Sequence, residues 1–186
     1  APDGGGLLVR CQTKSYLVDL HTFFTQSITG DLSFASWSPD SQFVLLVWNL
    51  DGETQCGEYL LLPATGGDLH PVAGTWVVAP VWSPRGRSLA FLAEDARTLA
   101  VLDAETWTTR QVPLPGSATG IFWRPQGDGL VVQSADGSLW WIRDPAVDHA
   151  KQLTPPLPMI RDVRWSPDGE RLAFISATDL YVVDVH

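Results

Sequence analysis

The chain has 186 residues, 45% of them hydrophobic and 18% charged, with a formal net charge of −9. This composition is typical of a globular protein and excludes a disordered chain. The acidic balance argues against a nucleic-acid backbone or an anionic membrane surface as the main partner, and no apolar run approaches the ~18 residues that would predict a membrane-spanning helix.

A tryptophan-containing turn recurs along the chain. It stands as Trp-Ser-Pro-Asp at 37–40, Trp-Ser-Pro-Arg-Gly at 82–86, Trp-Arg-Pro-Gln-Gly at 123–127 and Trp-Ser-Pro-Asp-Gly at 165–169. An incomplete version, Pro-Asp-Gly-Gly, occupies 2–5. The prolines at 2, 39, 84, 125 and 167 are separated by 37, 45, 41 and 42 residues. A period near 42 residues indicates a repeat architecture.

The recurring turn is typical of a β-hairpin. Ser, Pro, Asp and Gly in succession suit a type I turn, since Pro fixes φ and Gly accepts a positive φ at the fourth position. Ser41 replaces that Gly in one repeat, so we expect a strained or differently shaped turn there. The Trp ends one strand and the apolar run after the turn begins the next. Its large side chain can fill the gap between two neighbouring sheets.

Each repeat is predicted to form up to four short strands, A to D, with no helix longer than a turn or two. The opening repeat has B at 6–11, C at 15–20 and D at 23–29. The next has A at 32–37, B at 42–48, C at 58–62 and D near 69–72, and the third has 75–82, 88–93, 98–103 and 109–113. The fourth has 118–123, 129–133, 138–142 and 151–154, and the last has A at 160–165, B at 171–176 and C at 179–185.

Several predicted strands are apolar at successive positions, such as 43–47, 130–132 and 172–175. Continuous apolar runs are expected where a strand is covered on both faces. Four-stranded antiparallel sheets repeated around an axis provide this cover, so the predicted fold is an all-β propeller with about five recognisable repeats. The alternative, a two-sheet sandwich, predicts cleaner alternation and one solvated face. We predict a single domain over 1–186, with repeats near 1–30, 31–74, 75–117, 118–158 and 159–186.

The Trp-Ser-Pro-Asp-Gly turn, followed by Leu-Ala-Phe at 172–174 and by Leu-Tyr-Val-Val-Asp at 180–184, resembles the WD-like repeat of the TolB propeller family. The same repeat occurs in the propeller domains of prolyl oligopeptidase-type peptidases and of the tricorn protease. The resemblance covers nearly the whole chain and implies an architecture rather than an activity. It also implies a six-bladed ring and a location in the periplasm or at the cell exterior, with the cytoplasm as the alternative. The repeat at 123–127 departs most from the pattern.

The two ends of the predicted propeller are incomplete. The first repeat lacks strand A and the last lacks strand D, which leaves 18 strands. Residue 1 is Ala and no signal peptide is seen, so we expect a processed form or an excerpt of a larger ring. A small irregular ring, or a part-ring completed by a second chain, is the alternative. Uncovered edges and apolar faces predict either self-association or dependence on flanking sequence.

Residues that could carry out catalysis or bind a metal are sparse. The histidines His21, His70, His149 and His186 lack zinc-type spacing, and no Gly-x-Ser-x-Gly or phosphate-binding motif is present. We therefore expect no catalytic residues, no metal and no cofactor. Cys11 and Cys56 follow strand B of consecutive repeats; two free thiols are favoured, and a disulfide is the alternative in an oxidising compartment.

Acidic residues concentrate in the predicted loops between strands B and C. In a propeller these B–C loops lie on the same face as the D–A crossings, the segments that lead from strand D of one repeat to strand A of the next. We predict that this face binds a basic or polar protein or peptide, and that large side chains in the crossings anchor it. The acidic candidates are Asp51, Glu53, Glu94, Asp95, Asp136 and Asp179, and the anchoring candidates are Trp76, Met159 and Arg161.

Two functions fit these observations. The first is a non-catalytic recognition module or scaffold that binds a protein or peptide, as the TolB resemblance implies. The second is an accessory propeller, for gating or substrate access, of a larger prolyl oligopeptidase-like hydrolase or of a signalling protein. The ten Arg against two Lys, together with much Ala, Gly and Pro, suggest a bacterial protein.

Overall fold

The computed structural model describes residues 1–11, 14–30, 32–48, 58–72, 76–93, 95–144 and 149–185, and the backbone alone for 76–79. Within these ranges the chain forms 18 β-strands in five antiparallel sheets and no helix. Each sheet is built from strands that follow one another in the sequence. The fold is a β-propeller, as predicted, and the sheets are its blades.

The blades are numbered in chain order. Blade 1 contains β1 (Gly6–Arg10), β2 (Lys14–Asp19) and β3 (Thr25–Thr29). Blade 2 contains β4 (Leu32–Trp37), β5 (Phe43–Trp48), β6 (Glu58–Pro63) and β7 (His70–Pro71). Blade 3 contains β8 (Trp76–Trp82), β9 (Ser88–Ala93), β10 (Thr98–Asp103) and β11 (Thr108–Pro113). Blade 4 contains β12 (Ala118–Trp123), β13 (Leu130–Ser134), β14 (Leu139–Ile142) and β15 (Lys151–Gln152). Blade 5 contains β16 (Ile160–Trp165), β17 (Arg171–Ser176) and β18 (Asp179–Asp184).

The turn after each tryptophan has the same conformation with and without glycine. In blade 3 the amide of Gly86 donates to the carbonyl oxygen of Ser83 at 2.9 Å, and Gly86 has φ of 80°. In blade 2 the amide of Ser41 donates to Ser38 at 2.9 Å, with φ of 62°. Ser41 therefore adopts the left-handed conformation that the other turns give to glycine, and the cost is local backbone strain.

Apolar clusters fill the space between consecutive blades. In blade 3, Leu89 and Phe91 pack towards blade 2, whereas Ala90 and Leu92 pack towards blade 4. Successive residues of a strand point to opposite faces, so a strand between two blades is apolar at every position. We call the side of a blade towards the preceding blade its trailing face, and the side towards the next blade its leading face.

The four tryptophans that precede the turns lie between blades, as predicted. Trp37, Trp82, Trp123 and Trp165 are each partly buried and pack against one inter-blade cluster. The indole of Trp82 donates to Ser36 Oγ at 3.3 Å, and the indole of Trp123 donates to the carbonyl oxygen of Val81 at 3.0 Å. Trp82 and Trp123 therefore combine apolar packing with a polar link to the preceding blade.

Candidate functional site

Only some residues of the predicted acidic face belong to the part of the chain that the structure describes. Asp95 and Asp136 lie in the turns that follow the second strands of blades 3 and 4, and Asp179 begins β18 directly after the equivalent turn of blade 5. Because neighbouring strands are antiparallel, these turns share one end of the blades with the crossings that precede the first strands. Met159 and Arg161, in the crossing into blade 5 and at the start of β16, lie on the same face. The other acidic candidates, Asp51, Glu53 and Glu94, lie outside the described residues, and the side chain of Trp76 is not described.

Two of the candidate aspartates stabilise their own turns. The amide of Arg97 donates to Asp95 Oδ1 at 2.8 Å, and this bond lowers the pKa of Asp95. The hydroxyl of Ser138 donates to Asp136 Oδ1 at 2.6 Å, the largest cause of the lowered pKa of Asp136. Both carboxylates are therefore ionised at neutral pH. Their hydrogen bonds account for their presence in the loops, and their charge remains available to a partner.

A groove between blades 4 and 5 brings together Asp136 and Met159, two of the candidates. Its volume is about 360 Å³. We call it the crossing groove. Its lining residues are Thr119, Gln133, Ser134, Ala135, Asp136, Gly137, Leu157, Pro158, Met159 and Ile160.

Hydrogen bonds fix the crossing segment on one side of this groove. The amide of Leu157 donates to the carbonyl oxygen of Gly137 at 3.3 Å. The hydroxyl of Ser176, at the end of β17, donates to the carbonyl oxygen of Pro158 at 2.7 Å. The crossing is thus bound to a turn of blade 4 and to a strand of blade 5, and the groove is a preformed feature of their interface.

Met159 is held at the mouth of the groove by its backbone. It has φ of 53° and its side chain is 74% exposed. The next candidate, Arg161, donates from Nη2 to the carbonyl oxygen of Ala177 at 3.2 Å and is exposed. The groove thus places the flexible thioether of Met159 in one lining with the Asp136 carboxylate and the Gln133 amide. Such a lining can contact an apolar side chain together with a polar or cationic group.

Sequence reasoning missed a second cavity, on the opposite face between blades 3 and 4. Its volume is about 310 Å³. The lining residues are Ser88, Val101, Asp103, Thr108, Arg110, Trp123, Gly127, Asp128, Arg143 and Asp144. They come from separate segments of two repeats and form no motif. These lining residues come together only because blades 3 and 4 pack side by side in the folded protein.

The described histidines and cysteine lie in structural or exposed positions. The ring of His70 stacks on Trp107, with centroids 3.8 Å apart. His21 and His149 are exposed, and Cys11 is an exposed free thiol. His186 and Cys56 lie outside the described residues. In the described part of the chain, no three His, Cys, Asp or Glu side chains are placed to hold one metal ion, and no helix has the length and apolar character needed to cross a membrane.

Comparison with known proteins identifies the family. The model of the lipoprotein LpqB β-propeller domain matches residues 60–186, from the third strand of blade 2 to the end of blade 5. No curated protein matches the chain. The match covers more than half of the 186 residues and agrees with the five-sheet structure, so the chain belongs to the family of lipoprotein LpqB β-propeller domains.

Proposed function

We propose that this propeller is a non-catalytic recognition module, TolB-like in its architecture, that binds a protein or peptide through the crossing groove. The observation that carries this proposal is the exposure of Met159 over a preformed groove that also contains Asp136. Ligand sites are concave surfaces that combine apolar side chains with a few placed polar groups, and the crossing groove combines Met159 with Asp136 in this way. Asp136 would select a partner with a Lys or Arg next to an apolar residue.

The family description supports a location for this activity. It names a lipoprotein, and lipoproteins are proteins of the cell envelope. We propose that the domain works outside the cytoplasm of a bacterium, in the periplasm or at the cell exterior. The partner would then be another envelope or extracellular protein.

Site-specific photo-crosslinking in a bacterial host would test this proposal. A photoreactive amino acid in place of Met159 is expected to give a discrete covalent adduct with one protein. The matched control has the same amino acid in place of Leu69, which is 40% exposed in the loop between β6 and β7, at the opposite end of the blades. Asp136→Lys is expected to remove the adduct at 159. Similar adducts at both positions, or none at 159, would contradict the proposal.

The identity of the adduct separates the two candidate functions. Crosslinking to an independent envelope protein or peptide supports a recognition module. Crosslinking to a hydrolase domain whose activity changes with Met159→Asp would instead indicate the accessory propeller. The groove would then remain the contact site, with a different consequence of binding.

A further inference from the structure

The leading face of blade 5 is exposed where the equivalent face of blade 3 is buried. The register aligns β18 with β10, since Asp184 pairs with Arg171 and Asp103 pairs with Ser88 at the same distance from the turn. The residues that correspond are then Leu99 with Leu180 and Val101 with Val182. Their exposed fractions are 0% and 8% in blade 3, against 71% and 58% in blade 5. Blade 5 thus presents the apolar half of a blade interface without its other half.

The trailing face of blade 1 shows the same contrast. Leu89 and Phe91 of β9 are 0% and 1% exposed, whereas Leu7 and Val9, at the same positions of β1, are 47% and 42% exposed. Across the sheet, Leu7 pairs with Val18 and Val9 pairs with Tyr16. Paired residues share a face, so these four side chains form one apolar surface.

The two surfaces are the complementary halves of the interface that the chain repeats between its blades. The leading face of blade 5 presents Ala173, Ile175, Leu180 and Val182, and the trailing face of blade 1 presents Leu7, Val9, Tyr16 and Val18. The corresponding sets between blades 2 and 3 are Leu45, Val47, Tyr59 and Leu61 against Leu89, Phe91, Ala100 and Leu102. Among the described residues, each apolar cluster joins consecutive blades and none joins blade 5 to blade 1.

We propose that the leading face of blade 5 binds the trailing face of blade 1 in a second copy of this chain. This head-to-tail contact continues the packing between blades from one molecule into the next. The second copy carries the complementary half of the interface, so the contact between the two copies requires no new kind of surface.

Charge on β16 favours blade 1 over an ordinary four-stranded blade as the occupant. Arg164 pairs with Ala173 and Arg161 with Ile175, so both arginines lie on the leading face. At the position of Arg164, blade 3 has Val81, whose carbonyl oxygen accepts the indole hydrogen bond of Trp123 in the next blade. A four-stranded blade would bury two guanidinium groups there, which is costly without paired charges. Among the described residues, blade 1 has three strands and none at the position equivalent to β16, so a contact with these strands leaves both guanidinium groups open to solvent.

The contact joins two different surfaces, so it is heterologous and leads to a closed ring or an open chain of molecules. Sedimentation velocity over a series of protein concentrations tests it. The wild-type protein is expected to sediment faster as the concentration rises. A wild-type protein that remains monomeric throughout the series would overturn the proposal.

Single charge substitutions on the two exposed faces give the decisive test. Val182→Glu and Val9→Glu are each expected to abolish self-association, because each removes one half of the contact. Both positions are exposed, so folding is expected to be retained, and a thermal melt verifies this. Thr109→Glu, at an exposed position of β11, is the matched control and is expected to associate like the wild type.

Mixing the two face variants distinguishes head-to-tail contact from other modes. The Val9→Glu chain keeps an intact blade 5 face and the Val182→Glu chain keeps an intact blade 1 face. Their mixture is therefore expected to form a complex of one molecule of each and to grow no further. Self-association that survives in either single variant, or a mixture that stays monomeric, would refute the head-to-tail contact.

Discussion

The indole Nε1 of Trp165 donates a hydrogen bond of 3.1 Å to the carbonyl oxygen of Phe122, 43 positions earlier in the chain. Phe122 immediately precedes Trp123, whose own indole donates to Val81, 42 positions earlier. Each of these tryptophans therefore binds the backbone next to the preceding tryptophan. The repeat period of the sequence is the spacing of these hydrogen-bonded partners.

Replacing Trp165 with Ala is expected to lower the free energy of unfolding by about 3–5 kcal/mol. The substitution opens a cavity in the cluster between blades 4 and 5 and removes the hydrogen bond to Phe122. Domains of this kind commonly have only about 5–15 kcal/mol in total, so the melting temperature is expected to fall clearly. Phe23→Ala is the control, since Phe23 is 79% exposed and its removal should change stability by about 0.5 kcal/mol or less. Equal melting temperatures for the two variants would show that Trp165 is not part of the core.

The strands adjoining the turns could be predicted from sequence because their signals are local. Strands B and C of the third repeat were predicted at 88–93 and 98–103, and β9 and β10 have these bounds. The bounds predicted for the D strands were less accurate. In blade 1 this strand is β3, which begins at Thr25 rather than Phe23, because Phe23 takes a φ of 57° in the preceding turn. In blade 4 the D strand is β15, which ends at Gln152 rather than Thr154, because the amides of Leu153 and Thr154 both donate to the carbonyl oxygen of Leu139.

The candidate site was less accessible to prediction than the fold. Alternation of strands was enough to assign Asp136 and Met159 to one face. That they share a groove depends on the contact between Gly137 and Leu157, which belong to different segments and carry no motif. The exposure of Leu180 and Val182 agrees with the uncovered apolar faces that the incomplete terminal repeats predict, although their residue types alone are those of buried strands.

Acid is expected to destabilise the protein through the turn carboxylates. The hydroxyl of Ser166 donates to Asp168 and is the largest cause of its lowered pKa, followed by the amide of Glu170. A folded-state pKa below the unfolded value gives stability that is complete above the ordinary value, ~3.9, and is lost as the pH falls through the folded pKa. Ser166→Ala should therefore raise the pKa of Asp168 and lower the melting temperature at neutral pH.

Thermal melts at several pH values check this prediction. The difference in melting temperature between wild type and Ser166→Ala should shrink as the pH falls below ~4. Ser27→Ala, at an exposed position of β3, serves as the control. A difference that stays constant at every pH would mean that the hydroxyl acts through the backbone amide of Arg171, which donates to it at 2.9 Å, rather than through Asp168.

Gly137→Ala is expected to destabilise the protein more than Gly4→Ala. Both glycines have similar positive φ, 83° and 79°, so both substitutions carry the left-handed cost of ~1–2 kcal/mol. At Gly137 the new methyl group would also collide with the carbonyl oxygen of Leu157, whereas nothing lies within 4 Å at Gly4. Overpacking adds about 1–3 kcal/mol. Urea denaturation measures both variants, and equal losses would show that the crossing moves away from blade 4 easily.

Restoring the common turn sequence in blade 4 is expected to weaken the propeller. Arg124 and Gln126 stand where the other complete turns have Ser, and Asp or Arg. In the structure Arg124 Nε donates to the carbonyl oxygen of Gly169 and Gln126 Nε2 donates to that of Asp168, both at 2.8 Å. The unusual residues thus tie the turn of blade 4 to the turn of blade 5. Losing a hydrogen bond costs about 1 kcal/mol for a neutral donor and about 1.5–3 kcal/mol for a charged one.

Arg124→Ser should therefore lower the free energy of unfolding by about 1.5–3 kcal/mol, and Gln126→Asp by about 1 kcal/mol, as measured by urea denaturation. Gln126→Asp also replaces a donor with a carboxylate. A carboxylate and the carbonyl oxygen of Asp168 both only accept hydrogen bonds, so no bond can form between them. Thr109→Ser, at an exposed position of β11, is the control and should change stability by about 0.5 kcal/mol or less. A gain in stability for either blade 4 variant would show that the common turn is better in every blade and that the bridging hydrogen bonds contribute nothing.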